Sequence, residues 1–262
     1  MSSNTLFKYY PPDSFDFIVT SKGISIRFSQ PESLNDPFES FPVLKHRFYG
    51  DKHRGFSSFS PIDEYKPINQ PEIDTDYISD FYSAINNSIG ILSLSKKGDS
   101  RPMWSYYSKD HTGFVIEFSY IEAGLKEIKT PSGSSGSVVY KKDRPESQEE
   151  YTSTSIFSSA LYKDDQWEHE EEYRILAELN CFLPFNTDKN GFPLFTLTLP
   201  YKYIKKITLG VRATKELERK ALFYIKNYAP NASLDRNTLC PKSYNLKPMT
   251  IWKGRTTDTP ST

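Results

Sequence analysis

The segment Trp167–Leu179, WEHEEEYRILAEL, joins a run of acidic residues to an apolar stretch of the kind found in buried strands. We interpret it as one strand, although a run of glutamates favours helix, and the side chains of a strand alternate between two faces. Glu170, Glu172 and Arg174 then lie on one face, while Tyr173 lies on the core face. Carboxylates this close raise at least one pKa unless a cation offsets them, and Arg174 is placed to do so. The alternative is a solvent-exposed acidic face, which is what charge runs usually form.

Strand patterns outnumber helical patterns along the chain, and the two do not alternate regularly. Alternating or continuous apolar residues predict strands at residues 6–10, 24–28, 90–95, 112–118, 137–140, 195–199 and 204–210. Helical patterns follow Asp13 or Ser14 and also cover residues 76–87, 152–165 and 216–228. The fold class is therefore predicted as α+β, with a strand-rich core and a few flanking helices.

The chain has neither an internal repeat nor a recognisable linker, so we predict a single domain over residues 1–262. Residues 45–75 are rich in proline, glycine, serine and charged residues, which predicts a long surface excursion. The threonine-rich tail from about residue 254 is predicted to be disordered.

The composition argues against several classes of protein. Hydrophobic residues make up 37% of the chain and charged residues 25%, which fits a globular protein better than a disordered or membrane protein. The 33 basic and 33 acidic residues cancel, so a broad phosphate-binding surface is not expected, although a local basic groove is compatible with this balance. The chain shows no membrane-spanning run and no signal-peptide pattern, and its two cysteines lack metal-site or disulfide-framework spacing. These features predict a cytoplasmic protein without a membrane partner.

The segment Leu34–Ser40, LNDPFES, places short polar residues around a proline. The Asn-Asp-Pro sequence favours a turn, because short polar side chains bond to nearby backbone and proline fixes φ. Phe38 would then anchor the turn in the core. A functional role instead requires Asp36 or Glu39 to face a cleft, and the sequence leaves both interpretations open.

The segment Met103–Gly113, MWSYYSKDHTG, brings Trp104, Tyr107 and His111 close together in sequence. Aromatic rings beside a histidine can stack on a planar ligand and offer a titrating group. The same residues can equally belong to the core, since buried aromatic residues are more common than ligand platforms.

The motifs of several enzyme classes are absent from the sequence. The chain has no glycine-rich dinucleotide loop, no phosphate-binding G-x-x-x-x-G-K-[ST] loop, no G-x-S-x-G elbow and no H-E-x-x-H pair. Its four histidines are scattered along the chain, so no dedicated metal site is predicted.

Taken in this order, these segments resemble a large bacterial family of uncharacterised domains. The resemblance rests on LFKYY at residues 6–10, LNDPFES at 34–40, SLS at 93–95, MWSYYSKDHTG at 103–113 and WEHEEEYR at 167–174. It covers about residues 6–210, and Leu34 is a departure because an aromatic residue is usual at that position. The family itself implies no activity.

The same series is also similar to the plan of the ADP-ribosyltransferases. These enzymes have a polar residue on the first strand, a serine on a middle strand and E-x-E near the end of a split-sheet core. The resemblance implies that NAD is the substrate, that Glu172 is the catalytic glutamate and that Glu170 orients the acceptor. It implies cofactor-binding positions on the first and middle strands, at Lys8, Tyr9, Ser93 and Ser95. Lys8 departs from the histidine or arginine that is usual there.

The aromatic segment and the turn complete the set of site residues that this resemblance implies. In that superfamily an aromatic residue commonly stacks on the nicotinamide. The cofactor-binding set accordingly also includes Trp104, Tyr107 and His111, and the supporting set consists of Asn35, Asp36 and Arg174.

Three functions are compatible with these residues. The first is NAD-dependent ADP-ribosyl transfer or NAD glycohydrolysis, in an intracellular toxin or phage-defence effector, with a protein or a nucleic acid as acceptor. Cleavage of an N-glycosidic bond develops positive charge on the ribose, which a fixed, desolvated carboxylate stabilises. The second is a nucleotide- or protein-binding module without turnover. The third is a metal-dependent nuclease or hydrolase that uses Asp36, Glu170 and Glu172.

Overall fold

The computed structural model describes residues 4–42, 75–125, 135–145 and 157–255. The strands are β1 Thr5–Tyr10, β2 Val19–Thr20, β3 Gly23–Phe28, β4 Ile89–Ser95, β5 Phe114–Ser119, β6 Ser135–Ser137, β7 Val139–Lys141, β8 Tyr162–Asp164, β9 Glu172–Glu178, β10 Phe195–Leu199, β11 Ile204–Leu209, β12 Ser233–Leu239 and β13 Leu246–Trp252. The α-helices are α1 Phe15–Ile18, α2 Thr75–Ser88, α3 Arg101–Tyr106 and α4 Lys215–Tyr228, and residues 157–159 are also helical.

Eight of these strands form the main sheet. Their order is β13-β12-β11-β5-β1-β4-β9-β6, and a second sheet has the order β10-β3-β2. Neighbours in the main sheet are antiparallel except β11 and β12, which are parallel and are connected through α4. A parallel pair needs such a crossover because its second strand must start again at the same end of the sheet. The fold is α+β and rich in strands, as the sequence predicts.

The core lies where both sheets and α4 meet. β5 runs between β1 and β11, and its FVIEFS sequence is almost entirely buried. In α4 the residues Leu217, Ala221 and Ile225 are buried, and their spacing of four places them on one face of the helix. Thr214 is the N-cap of the helix, because its side chain accepts a hydrogen bond from the Leu217 amide.

The main sheet is split between β1 and β4. β1 pairs with β5 along its full length, but it pairs with β4 only between Phe7 and Ser95. Before that point β4 turns toward the second sheet, where Ile91 bridges to Ser29. In the gap, the Lys8 ammonium donates to the Ser93 carbonyl at 2.9 Å. A side chain therefore crosses the space where a backbone ladder would otherwise continue.

The predicted elements at β1, β3, β4, β5, β10, β11, α2 and α4 agree with the structure to within two residues at each end. Other predictions are wrong, two of them within residues 162–170. Residues 162–164, which were predicted as helix, form β8 because they pair with β7. Residues 165–170, in which the predicted strand begins, form a 3-10 helix, since the Asp164 side chain caps the Gln166 amide and favours a helical turn.

The region after Ser14 also differs from its prediction. The helix there is the single turn α1, and Val19 already belongs to β2 because it pairs with Ile24. The predicted surface excursion falls almost entirely outside the described residues, as does most of the predicted tail. Within the described part of the chain, no helix has the length and apolar character needed to cross a membrane.

Candidate functional site

A cavity of about 260 Å³ opens at the split between β1 and β4. It is lined by side chains from β1, β4, the turn after β3, α3 and the acidic segment. Eight of the site residues predicted from the sequence line it, namely Lys8, Tyr9, Asn35, Ser93, Ser95, Tyr107, Glu170 and Glu172. We call this space the first cavity.

Beside the first cavity lies a buried charge cluster, which consists of Glu39, Lys163, Glu170, Glu172 and Arg174. The Lys163 ammonium is 2.6 Å from a Glu170 carboxylate oxygen, 3.2 Å from Glu172 and 3.3 Å from Glu39. All five side chains are at most 5% exposed. Since burying an isolated charge is very costly, this mutual pairing is what allows the cluster to exist in the interior.

Arg174 holds two of these carboxylates with one guanidinium group. Its Nε donates to Glu172 Oε1 at 2.9 Å and its Nη2 donates to Glu172 Oε2 at 3.0 Å, a bidentate arrangement. The same guanidinium contacts Glu39 and donates to the Ala160 carbonyl at 2.6 Å. Glu172 is thereby fixed in position before any ligand arrives.

Local structure explains how the two neighbouring glutamates converge. Glu172 and Arg174 are two residues apart on β9, so strand alternation points them the same way. Glu170 lies on the preceding 3-10 helix and reaches the same place because Glu171 adopts a left-handed conformation with φ of 42°. The backbone carbonyl of Glu170 is held by the Ser95 hydroxyl at 2.7 Å, so Ser95 positions Glu170.

The charges of the cluster do not cancel, because three carboxylates face two cations. Burial raises the pKa of Glu172, Lys163 opposes that rise, and Glu170 adds to it. Burial disfavours the charged form of Lys163, but Glu172 and Glu170 outweigh this effect and hold its pKa above the usual range. The Tyr107 hydroxyl donates to Glu170 at 2.5 Å, and burial followed by the charge of Glu170 raises the Tyr107 pKa.

Lys8 is the third cation of the site and differs from the other two. It lines the first cavity, and its ammonium donates to a backbone carbonyl. Burial lowers the pKa of Lys8 to about 8, although Glu172 opposes the shift. Lys8 can therefore exist as a neutral amine near physiological pH.

This difference predicts a distinct labelling profile for Lys8. At pH 8, about half of the Lys8 side chains are expected to be neutral, compared with less than about 1% for an ordinary lysine. Lys8 should consequently react with limiting acetic anhydride at a lower pH than the exposed Lys22, as measured by mass spectrometry of the labelled peptides. Equal labelling midpoints for the two lysines would contradict the prediction.

The structure does not place Trp104 or His111 in the first cavity. Trp104 is fully buried in a core cluster with Tyr9 and Val115, and its indole donates to the Gly98 carbonyl at 3.1 Å. His111 stacks on Trp104 with ring centroids 6.2 Å apart. Trp104 is therefore a core residue because its ring is fully buried, and the half-buried His111 packs against that ring outside the first cavity.

The LNDPFE turn belongs to the wall of the site. Asp36 accepts one hydrogen bond from the Phe38 amide at 2.9 Å and another from the Trp167 indole at 3.1 Å. Asn35 donates to the Tyr107 hydroxyl at 3.2 Å. Phe38 is 63% exposed, so it does not anchor the turn in the core. The turn is instead held by side-chain bonds to the aromatic and acidic segments.

Three residues of the site were not assigned from the sequence. Lys163 pairs with the acidic residues, and its ammonium lies 5.0 Å from the centre of the Trp167 ring. Glu39 contacts both Lys163 and Arg174. For Glu39 the sequence predicts a role only if its side chain faces a cleft. A lysine among charged neighbours gives no local sign of burial, so no signal in the sequence identifies Lys163.

The carboxylates of the cluster resemble the ligands of a metal site, but they pair with cationic side chains. Within the described ranges, no group of three or more His, Cys, Asp or Glu side chains is arranged to hold a metal ion. The carboxylates of the cluster face an ammonium and a guanidinium, which take the place that a cation would need.

Comparison with known proteins gives one match. A family model described as "Protein of unknown function (DUF2971)" matches residues 103–175, which include most of α3, all of β5 and the start of β9. Neither the curated proteins nor the solved structures contain a match to this chain. The match spans the aromatic segment and all of the charge cluster except Glu39, and it supports a resemblance to an uncharacterised domain family.

Proposed function

We propose that the first cavity binds NAD and that the protein cleaves its nicotinamide–ribose bond, with transfer of ADP-ribose to an acceptor or to water. The observation that carries the proposal is the convergence of Lys8, Ser93 and Glu172 on one cavity from three different strands. These are the positions for which the sequence resembles ADP-ribosyltransferases. The cavity lies at a split in the sheet, where backbone hydrogen bonding between β1 and β4 stops.

Glu172 would act on the ribose as charge develops there. As the bond from the anomeric carbon to the nicotinamide nitrogen breaks, the electron pair leaves with the nicotinamide and the ribose becomes oxocarbenium-like. A carboxylate stabilises that charge best when it is desolvated and already oriented, and Arg174 and Lys163 orient Glu172. The acceptor oxygen then bonds to the anomeric carbon and loses its proton.

Glu170 is the residue that would accept the proton of the acceptor. Tyr107 and Lys163 both donate to its carboxylate, so it is held at the cavity wall two residues from Glu172. From that position it would orient an acceptor hydroxyl or a water molecule and receive its proton. This division leaves electrostatic stabilisation to Glu172 and acceptor orientation to Glu170.

Nicotinamide release is the direct test of this function. Purified protein is incubated with NAD, alone and with cell extract as a source of acceptors, and free nicotinamide and ADP-ribosylated products are measured by chromatography and mass spectrometry. We expect release that depends on the protein. If NAD raises the unfolding temperature but no nicotinamide forms under either condition, the chain is a nucleotide-binding module instead. If NAD neither binds nor reacts, the proposal fails.

A further inference from the structure

A second cavity, of about 210 Å³, lies on the other side of the LNDPFE turn. Glu39 and Lys163 line both cavities, so the two spaces adjoin at these residues. Each cavity alone is smaller than the roughly 300–1,000 Å³ typical of small-molecule sites, whereas the two together fall within that range. Taken together, the two cavities have the volume of a small-molecule site.

Three cations form a basic rim around the second cavity, namely Lys141, Lys142 and Arg144. Their described contacts are with neutral groups. The Lys141 ammonium lies 5.1 Å from the centre of the Tyr162 ring, and the Arg144 guanidinium donates to the Phe41 carbonyl. Among the described residues none of the three forms an ion pair with a carboxylate, so their charge is available for an anion.

Four acidic residues line the same cavity, namely Asp36, Glu39, Asp143 and Asp164, and two of them are committed to protein donors. Asp36 accepts from the Trp167 indole and the Phe38 amide, and Asp164 caps the 3-10 helix through the Gln166 amide. These bonds direct both carboxylates toward protein donors. The exposed Asp143, between Lys142 and Arg144 in sequence, offsets one of the three rim charges, so the rim keeps a net positive charge.

Glu39 provides an independent sign of a missing partner. It is 3% exposed, and its Oε2 atom is buried without a hydrogen-bond partner among the described residues. Buried polar atoms are nearly always paired, and an unpaired carboxylate oxygen is especially costly. A ligand hydroxyl at the junction of the two cavities would satisfy this oxygen.

We propose that the second cavity binds the phosphate-bearing end of a nucleotide, with phosphate at the basic rim and a ribose hydroxyl on Glu39. The inference rests on the proposed function, because it makes the second cavity the phosphate end of the same dinucleotide whose glycosidic bond lies in the first. It assigns the phosphate groups of that substrate to the second cavity, so a ligand without phosphate would occupy only the first cavity.

The test is a binding experiment that needs no turnover. Binding of ADP, adenosine and nicotinamide to the full chain is measured by calorimetry for the wild type and for the double variant Lys141→Ala/Lys142→Ala. The control is Lys215→Ala/Lys220→Ala, which removes two lysines of α4 that form exposed ion pairs. We expect ADP affinity to fall at least about tenfold only in the rim variant, because hydrogen bonds to charged groups are involved. Nicotinamide affinity should not change.

The outcomes separate the two proposals. ADP binding that depends on the rim, without nicotinamide release from NAD, supports the phosphate site and removes the proposed enzyme activity. Nicotinamide release with a KM for NAD that is unchanged in the rim variant overturns the phosphate site and keeps the activity. Absence of ADP binding to the wild type, or equal loss of affinity in the control variant, also overturns the phosphate site.

Discussion

Nicotinamide release is expected to fall by roughly 10²–10³-fold in the variant Glu172→Gln, the size of loss seen when one preorganised electrostatic partner of a transition state is removed. Glutamine keeps the shape of the side chain and one acceptor oxygen, but it removes the negative charge that would stabilise the oxocarbenium-like ribose. The measurement is the rate of release at saturating NAD, with NAD affinity determined separately by calorimetry. A change in rate with little change in affinity is the expected pattern.

The charge count of the cluster predicts that Glu172→Gln will lose activity without unfolding. The cluster holds three carboxylates and two cations, so loss of one negative charge brings it to balance. We therefore expect Glu172→Gln to remain folded, which its unfolding temperature will verify. The matched control is Glu168→Gln, an exposed glutamate of the same acidic segment, and it should retain full activity. A Glu172→Gln protein that is folded and fully active would remove Glu172 from the proposed mechanism.

The free energy of unfolding is expected to fall by about 3–5 kcal/mol in the variant Arg174→Met. Arg174 is fully buried, and its guanidinium contacts both Glu39 and Glu172. Methionine fills much of the volume but supplies no charge, so the three carboxylates of the cluster are left with Lys163 as its one remaining cation. Denaturant titration of the wild type and the variant measures the difference.

An exposed ion pair provides the control for Arg174. Lys205 and Glu122 are 3.2 Å apart, and their side chains are 42% and 56% exposed. The variant Lys205→Met should therefore cost less than about 1 kcal/mol. Combining Arg174→Met with Glu172→Gln should restore part of the lost stability, because one of the uncompensated charges disappears. A loss below about 1 kcal/mol for Arg174→Met alone would show that the cluster is not held together as the contacts indicate.

Most of the fold could be predicted where local pattern and tertiary environment agree. The continuous apolar run of β5 indicates a buried strand, and the spacing of Leu217, Ala221 and Ile225 indicates one buried face of α4. The predictions failed at residues 162–170, where the deciding contacts are distant. β8 exists because it pairs with β7, more than twenty residues earlier in the chain. No helical or strand period within the segment carries that information.

The candidate site could be predicted in part for the same reason. Glu172 and Arg174 face the same way because strand alternation is a local property, and β9 begins at Glu172. Trp104 was assigned to ligand stacking, but its environment depends on how α3 packs against β1 and β5. Aromatic residues suit cores and ligand sites equally well, so sequence alone cannot separate these roles.

By itself, the sequence determined the α+β class, most strands and the shared direction of Glu172 and Arg174, because these follow from side-chain periodicity along one segment. Only the tertiary structure decided that Glu170 and Glu172 of the acidic run are buried while Glu168 is exposed. Lys163 from β8 and Glu39 from the LNDPFE turn complete the charge cluster, and the split between β1 and β4 opens the cavity beside it. Burial of charge requires partners with suitable geometry, and those partners come from segments far apart in the chain.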